Sequence, residues 1–397
     1  MSERLPSRNR DRSESPGRDA FTLQGLLRYF LGLGTFGFGG PIALIGYMQR
    51  DLVERRRWFS KQDYGEGLAL AQLAPGPLAA QLAIYLGWLK AGTLGATLVA
   101  GAFIVPSFLM VVALSAFYVR YGGLAWMQGL FYGIGAAVIA IIARSAWKLM
   151  RSALGSDRVA WALFASSALA TAWTASEIVW LFLASGVAML AARGLSGRGL
   201  RAASVIPWPA LVSGLHGPAS VDTLWRIARY FAEAGAFVFG SGLAIVPFLH
   251  GGVVNDFHWL NERQFLDAVA VAMITPGPVV ITVAFIGYLA AGPLGATMAA
   301  IGVFLPCYLF VVIPAKYFRR SIGSPRVKAF VDGVTAAAIG AIAGAAFVLG
   351  RRAIVDPPTA LIAGGTLACL VWLRRVPEPL LILGAGALGL AATSAAH

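Results

Sequence analysis

The chain has 397 residues, 58% of them apolar and only 13% charged, against about a quarter charged in soluble domains. So few charges cannot coat a globule in water, which excludes a soluble enzyme or binding module and indicates an integral membrane protein whose spans are helices. The formal net charge of +14 comes from short basic clusters between apolar runs, with no nucleic-acid-reading module around them. It therefore points to membrane topology and lipid headgroups, not to a nucleic-acid partner.

Residues 1–20 form a polar tail of mixed charge without the apolar stretch of a cleaved signal, and are expected to be disordered. The first half, residues 21–193, opens with an interrupted helix over 22–48, broken near Gly37 to Pro41. A basic turn follows, ending at Trp58-Phe59-Ser60, where Ser60 is suited to cap the next helix. That helix, over 61–74, stops at Pro75-Gly76-Pro77, because each proline removes a donor and crowds the preceding turn. A short helix runs on to Lys90, long ones follow over 92–118 and 124–150, and apolar runs over 159–171 and 177–192 form a hairpin. Residues 194–220, rich in Gly, Ser, Arg and Pro, are a linker.

The second half, residues 221–397, repeats this order. Arg28, Tyr29, Phe30, Phe38, Gly39, Trp58, Pro75, Gly76 and Pro77 meet Arg229, Tyr230, Phe231, Phe239, Gly240, Trp259, Pro276, Gly277 and Pro278, each 201 positions on. After the PGP motif the offset is 200, where Gly92, Gly95, Pro106 and Gly133 meet Gly292, Gly295, Pro306 and Gly333. The halves are a duplicated unit. Their basic loops are biased in opposite senses: residues 50–61 carry Arg50, Arg55, Arg56, Arg57 and Lys61 while residues 251–262 have only Arg-free sequence, and the bias reverses at Lys316, Arg319, Arg320, Arg326 and Lys328. This predicts an all-α polytopic fold built as an inverted repeat, with the 50–61 loop in the cytoplasm and the 251–262 loop outside. The segments around each PGP are either spanning or re-entrant.

Helix breaks at membrane depth are tolerated where backbone lines a cavity or is buried in protein. Half-helix N-termini there present free amides to an oxyanion without a metal. Gly39, Gly40 and Pro41, together with the turns Pro75-Gly76-Pro77 and Pro276-Gly277-Pro278, are the candidate anion-binding backbone; helix packing is the competing role for the glycines. Arg57, in the Arg55 to Arg57 run, is either an anion-gathering cation or a topology signal. Glu66 and Asp267, at equivalent positions before the two turns, and Glu233 in the second half are candidates for a coupling proton, unless they sit at the interface or pair with arginine. Gln72 and Gln81 flank the first turn and are suited to hydrogen-bond an oxyanion; Trp58 and Trp259 are expected at the interface. Cys307 and Cys369 lie in apolar segments and the four histidines lack metal-ligand spacing, so no disulfide framework, metal or cofactor is expected. No phosphate-binding loop of an ATP-driven pump and no catalytic cluster is present in the sequence.

The run FGFGGP at residues 36–41, DLVERRRWFS at 51–60 and APGPLAAQLA at 74–83, followed by GWLKAGTLGAT, resembles the signature of the chromate ion transporter family in its two-domain, long-chain form. The resemblance implies an inner-membrane secondary transporter that exports chromate on a proton gradient or membrane potential and confers chromate resistance. On it, Gly39, Gly40, Pro41, Arg57, Trp58, Pro75, Gly76, Pro77 and Gln81 stand at the motif positions. Leu44 occupies the neighbourhood where some relatives have a histidine, and Ser241-Gly242 replaces Gly40-Pro41 in the second half, which argues against two equal sites. Sulfate or another small oxyanion is the alternative cargo, and a non-transporting scaffold the alternative class. A homodimer through a glycine-rich face is compatible with the composition.

Overall fold

The computed structural model describes residues 21–38, 40–121, 125–174, 179–194, 220–237, 245–321, 325–372, 376 and 378–394. The expected tail and most of the expected linker lie outside them. The first half contains α1 (Leu23–Phe36), α2 (Gly40–Met48), α3 (Lys61–Leu73), α4 (Leu78–Tyr121), α5 (Ala125–Ala153), α6 (Arg158–Thr174) and α7 (Val179–Ala192). The second repeats the order as α8 (Val221–Phe237), α9 (Ile245–His250), α10 (Glu262–Ile274), α11 (Thr282–Ser321), α12 (Pro325–Ala353), α13 (Pro357–Trp372) and α14 (Glu378–Ser394). No strand occurs among the described residues. By length and composition, four described helices can cross a membrane, around α4, α5, α11 and α12.

Local chemistry sets the helix starts. Thr22 Oγ1 accepts from the Gly25 amide at 3.1 Å, Ser60 Oγ from Asp63 at 2.9 Å, and Asn261 with Gln264 forms a reciprocal capping box. After α2 and α9 the chain widens into π-helical turns, Gln49–Arg55 and Gly251–Asp256. These end on residues forced to positive φ, Arg57 (53°) and His258 (51°). Two bulky residues in the left-handed region at equivalent positions mark a strained turn built twice.

The long helices α4 and α11 are each bent back on themselves. Ala91-Gly92 and Ala291-Gly292 leave helical geometry, with the glycines at φ 61° and 65°. A side chain on Gly87 would collide with the Gly95 carbonyl and one on Gly95 with the Gly87 carbonyl; Gly287 and Gly295 do the same. Eight residues of straight helix would separate such atoms by about 12 Å, so the chain folds back there. Beyond the bend, Leu94, Leu98, Val105 and Leu109 are exposed on α4, and Leu294, Ile301, Leu305 and Leu309 on α11. This matched apolar stripe is suited to lipid.

Packing divides the molecule differently from the duplication. α1 lies on α4, and α8 on α11, through Gly34 against the Phe103 carbonyl and Gly235 against the Val303 carbonyl; α4 packs on α11. The terminal hairpins are exchanged. α6 and α7 pack on α12, where Gly340 and Gly344 sit on the Phe164 and Ala168 carbonyls and Gly333 on that of Ser185. In return α13 and α14 pack on α5, with Gly133 against the Ala385 carbonyl. Arg193, just after α7, bridges Asp157 at 2.9 Å and Asp332 of the other half at 2.7 Å.

Candidate functional site

α3 has 13 residues, and the first arm of α4, residues 78–90, is equally short. Each spans about 20 Å, less than the roughly 30 Å of hydrocarbon. With the Pro75-Gly76-Pro77 turn between them they form a short helical hairpin, and α10, Pro276-Gly277-Pro278 and the first arm of α11 form another. Gly76 has φ 135° and Gly277 φ 95°, a region that only glycine enters freely. The turns are buried, with Gly76, Pro77, Pro276, Gly277 and Pro278 all shielded and Pro75 partly so.

At the first turn, the earliest backbone bond of α4 runs from the Gln81 amide to the Pro77 carbonyl at 3.0 Å. The amides of Leu78, Ala79 and Ala80 precede it and have no carbonyl behind them in the helix, so the positive end of the dipole is buried at the turn. The second turn starts more tightly, with 3₁₀ bonds from the Ile281 amide to the Pro278 carbonyl at 3.0 Å and from the Thr282 amide to the Val279 carbonyl.

Each turn is seated on the long helix of the other half. Gly76 lies against Cys307 Sγ, and Gly277 so close to Ser107 Oγ that any side chain there would collide with it. Ser107 and Cys307 are fully buried equivalents, one residue after Pro106 and Pro306. Ser107 Oγ donates to the Gly34 carbonyl at 3.1 Å, and the Gly277 amide donates to the Gly37 carbonyl at 2.9 Å. The glycine break that ends α1 therefore meets the second PGP turn. Gly40 and Pro41 open α2 beyond that break; Gly39 lies outside the described residues.

Gln81 is fully buried. Its Nε2 donates to the Pro75 carbonyl at 2.6 Å and reaches the Ala74 carbonyl at 3.4 Å, while Oε1 has no partner. Its donor thus stitches the turn, and the atom left for a ligand is an acceptor. Gln72 is exposed on α3.

The three acidic candidates have unlike settings. Asp267 is buried and accepts from Tyr118 Oη of the other half at 2.7 Å. Glu66 is half-buried, accepting from Gln62 Nε2 at 3.0 Å with Tyr85 Oη at 3.5 Å. Glu233 is exposed and paired along its own helix with Arg229 at 3.1 Å, a contact worth a few tenths of a kcal/mol; the structure does not bring it to either turn.

Arg57 also stands apart. Its neighbour Trp58 stacks on Phe21 and touches Gly25 at the start of α1, whereas the end of α1 reaches Gly277. α1 and α3 each put about 20 Å between Arg57 and the turns. The basic run at this outer turn is organised by aromatics, Arg56 lying over Trp58 at 4.7 Å.

Sequence reasoning missed Ser107, Cys307 and Tyr118. The proline before Ser107 and Cys307 recurs at the 200-residue offset and was the available signal; Tyr118 carried none. Among the described residues no cluster of His, Cys, Asp and Glu could hold a metal.

Comparison with known proteins agrees with the duplicated plan. The sequence model of the family described as "Chromate transporter" matches twice, over residues 25–190 and 225–390. The chain is 58% identical over 381 residues to a "Chromate transport protein" of Cupriavidus metallidurans, covering 95% of each chain. It is 55% identical to a "Probable chromate transport protein" of Synechococcus elongatus over 93% of this chain and 95% of that one. A "Chromate transport protein" of Pseudomonas aeruginosa is 31% identical over 92% and 91%. No solved structure matches the chain.

Proposed function

Because this chain belongs to the chromate transporter family, we infer that it is a secondary transporter that exports chromate across the inner membrane on a proton gradient or the membrane potential, conferring resistance to chromate. It is a multi-pass membrane protein and a transporter by family. The observation that carries the reading is the pair of buried PGP turns, each seated on the other half's long helix, with a helix N-terminus buried inside the protein. Residues 21–193 and 221–397 are the two transport repeats, joined by 194–220 and preceded by the tail 1–20. Their antiparallel placement is supported by the opposed loop charges and by Thr97 Oγ1 meeting Tyr308 Oη at 2.8 Å instead of its own counterpart Thr297. Cysteine labelling of the 50–61 and 251–262 loops from opposite faces tests that placement.

The anion is held by the backbone of the two turns and of the Gly39-Gly40-Pro41 break. Arg57 acts at the outer turn, gathering the anion or setting topology. Asp267, buried against the opposite half, is the coupling carboxylate in preference to Glu66. Lipid covers the matched apolar stripe, which is also the face available to a second copy. Tracer chromate uptake into liposomes holding the purified protein, with an imposed proton gradient or potassium diffusion potential and no ATP, tests the function. Accumulation that collapses with an uncoupler and is lost in Gly76→Leu is expected; accumulation no greater than in empty vesicles under both gradients refutes it. Sulfate as the cargo is separated by sulfate competition in the same vesicles.

A further inference from the structure

The carboxamide of Gln81 lies, fully buried, at the mouth of α4. Its neighbours fix which atom is which: the atom 2.6 Å from the Pro75 oxygen and 3.4 Å from the Ala74 oxygen is the NH₂, since an oxygen there would face two carbonyl oxygens. The remaining atom, Oε1, is a buried acceptor with no partner, a condition that native proteins rarely leave unfilled. In the same first turn the amides of Leu78, Ala79 and Ala80 are donors without an intrahelical partner. Within residues 78–81 the start of α4 therefore carries unpartnered donors with a positive dipole and an unpartnered acceptor.

That pairing selects its ligand by chemistry. A dianion has only acceptors and sets lone pairs against Oε1. A cation suits Oε1 and is repelled by the helix N-terminus. A tetrahedral oxyanion carrying one proton offers oxygens to the amides and an O–H to Oε1. Resting on the oxyanion-transport reading above, we propose that the turn of the first half binds its substrate as the singly protonated oxyanion, with Gln81 Oε1 accepting a hydrogen bond from the substrate's own O–H.

Two consequences follow from the chemistry. The cost of taking an ion out of water grows with the square of its charge, so a monoanion costs about a quarter of a dianion of the same size. Chromate takes up its first proton close to neutral pH and sulfate only in strong acid, so two anions of one shape are told apart by protonation. The second half lacks the device: the offset passes from 201 to 200 in this stretch, so Gln81 faces Ile281 or Thr282, and Thr282 Oγ1 donates to the Val279 carbonyl at 2.8 Å.

Other titratable groups lie on the elements about this turn: Cys307 on α11, against Gly76 as Gln81 is, Tyr85 one turn along α4, and Glu66 on α3, which meets Tyr85. The test must therefore compare pH slopes between wild type and a variant at a side chain that does not itself titrate. Equilibrium binding of radiolabelled chromate to the full chain in nanodiscs is measured across pH for wild type and Gln81→Met, which keeps length and removes the acceptor. Expected is a wild-type affinity for total chromate that falls about tenfold per pH unit on the alkaline side, the slope of one proton taken up, and a slope below about twofold in Gln81→Met. A wild-type affinity that is flat or rises with pH, or an unchanged slope in the variant, overturns the proposal. Should Gln81→Met not fold, competition on the wild type decides: a hundredfold excess of sulfate at neutral pH leaves chromate bound if the proposal holds and displaces it if the proposal is wrong. Absence of chromate binding at every pH overturns the transport reading and this proposal with it, whereas pH-independent binding overturns this proposal alone.

Discussion

Gly277 shows how much a single hydrogen atom in place of a side chain decides. At φ 95° an alanine there is strained by about 1–2 kcal/mol, and its Cβ also strikes Ser107 Oγ. Gly277→Ala is expected to lower the thermal midpoint and abolish transport, and adding Ser107→Gly to recover part of the stability by relieving the collision but not the strain. Asp267→Asn keeps a hydrogen bond to Tyr118 while removing the proton. If Asp267 is the coupling group, gradient-driven accumulation disappears in tracer flux assays and chromate counterflow survives; retained accumulation removes it from coupling. Arg57 at φ 53° predicts the opposite sign, with Arg57→Gly stabilising by about 1 kcal/mol in thermal unfolding. At this scale the turn glycines and the Ser60 cap were legible in sequence because their causes are local. The partner of Asp267 was not, because Tyr118 comes to it from 149 positions away.

Among the elements, the exchanged hairpins depend on close backbone approach. Gly340 and Gly344 on α12 admit the Phe164 and Ala168 carbonyls of α6, and Gly340→Leu is expected to cost about 1–3 kcal/mol or more through overpacking, read as a lower thermal midpoint with the site residues intact. Arg193, which ties the end of α7 to Asp157 and Asp332, gives a pH-dependent counterpart. Its hydrogen bond to Asp157 holds that carboxyl below the usual carboxylate range, with amides of Ala160 and Val159 assisting. A depressed folded pKa contributes stability that is present above the unfolded value and is lost as pH falls through the folded one. The stability difference between wild type and Arg193→Ala should therefore be full at neutral pH and vanish in acid, as followed by unfolding at a series of pH values. Helix positions and the bends at Gly92 and Gly292 could be read from apolar runs and glycine spacing, but which helix covers which could not. The α6–α7 run looks like an ordinary local hairpin, and nothing in its composition names α12 as its cover.

For the whole molecule, duplication was plain in glycines, prolines and aromatics recurring at an offset of 201 and then 200, and the two family matches at residues 25–190 and 225–390 trace the same division. Physical coherence follows another line. One body is built on α1, α4, α8 and α11, against which both PGP turns sit; the other comprises α5 to α7 with α12 to α14, and α10 touches both through α11, α5 and α14. Each draws equally on both halves. Cutting the gene within residues 195–219 and expressing both parts together is expected to restore chromate resistance, whereas either part alone should be degraded, because its terminal hairpin has lost the helix that covers it. Growth in chromate and immunoblots of the fragments decide this. The exchange also bears on ancestry. A chain with a single repeat could shelter that hairpin only against a twin, and joining two copies in one chain keeps the embrace while letting the copies differ: the first carries Gln81 at its turn, and the second the buried Asp267.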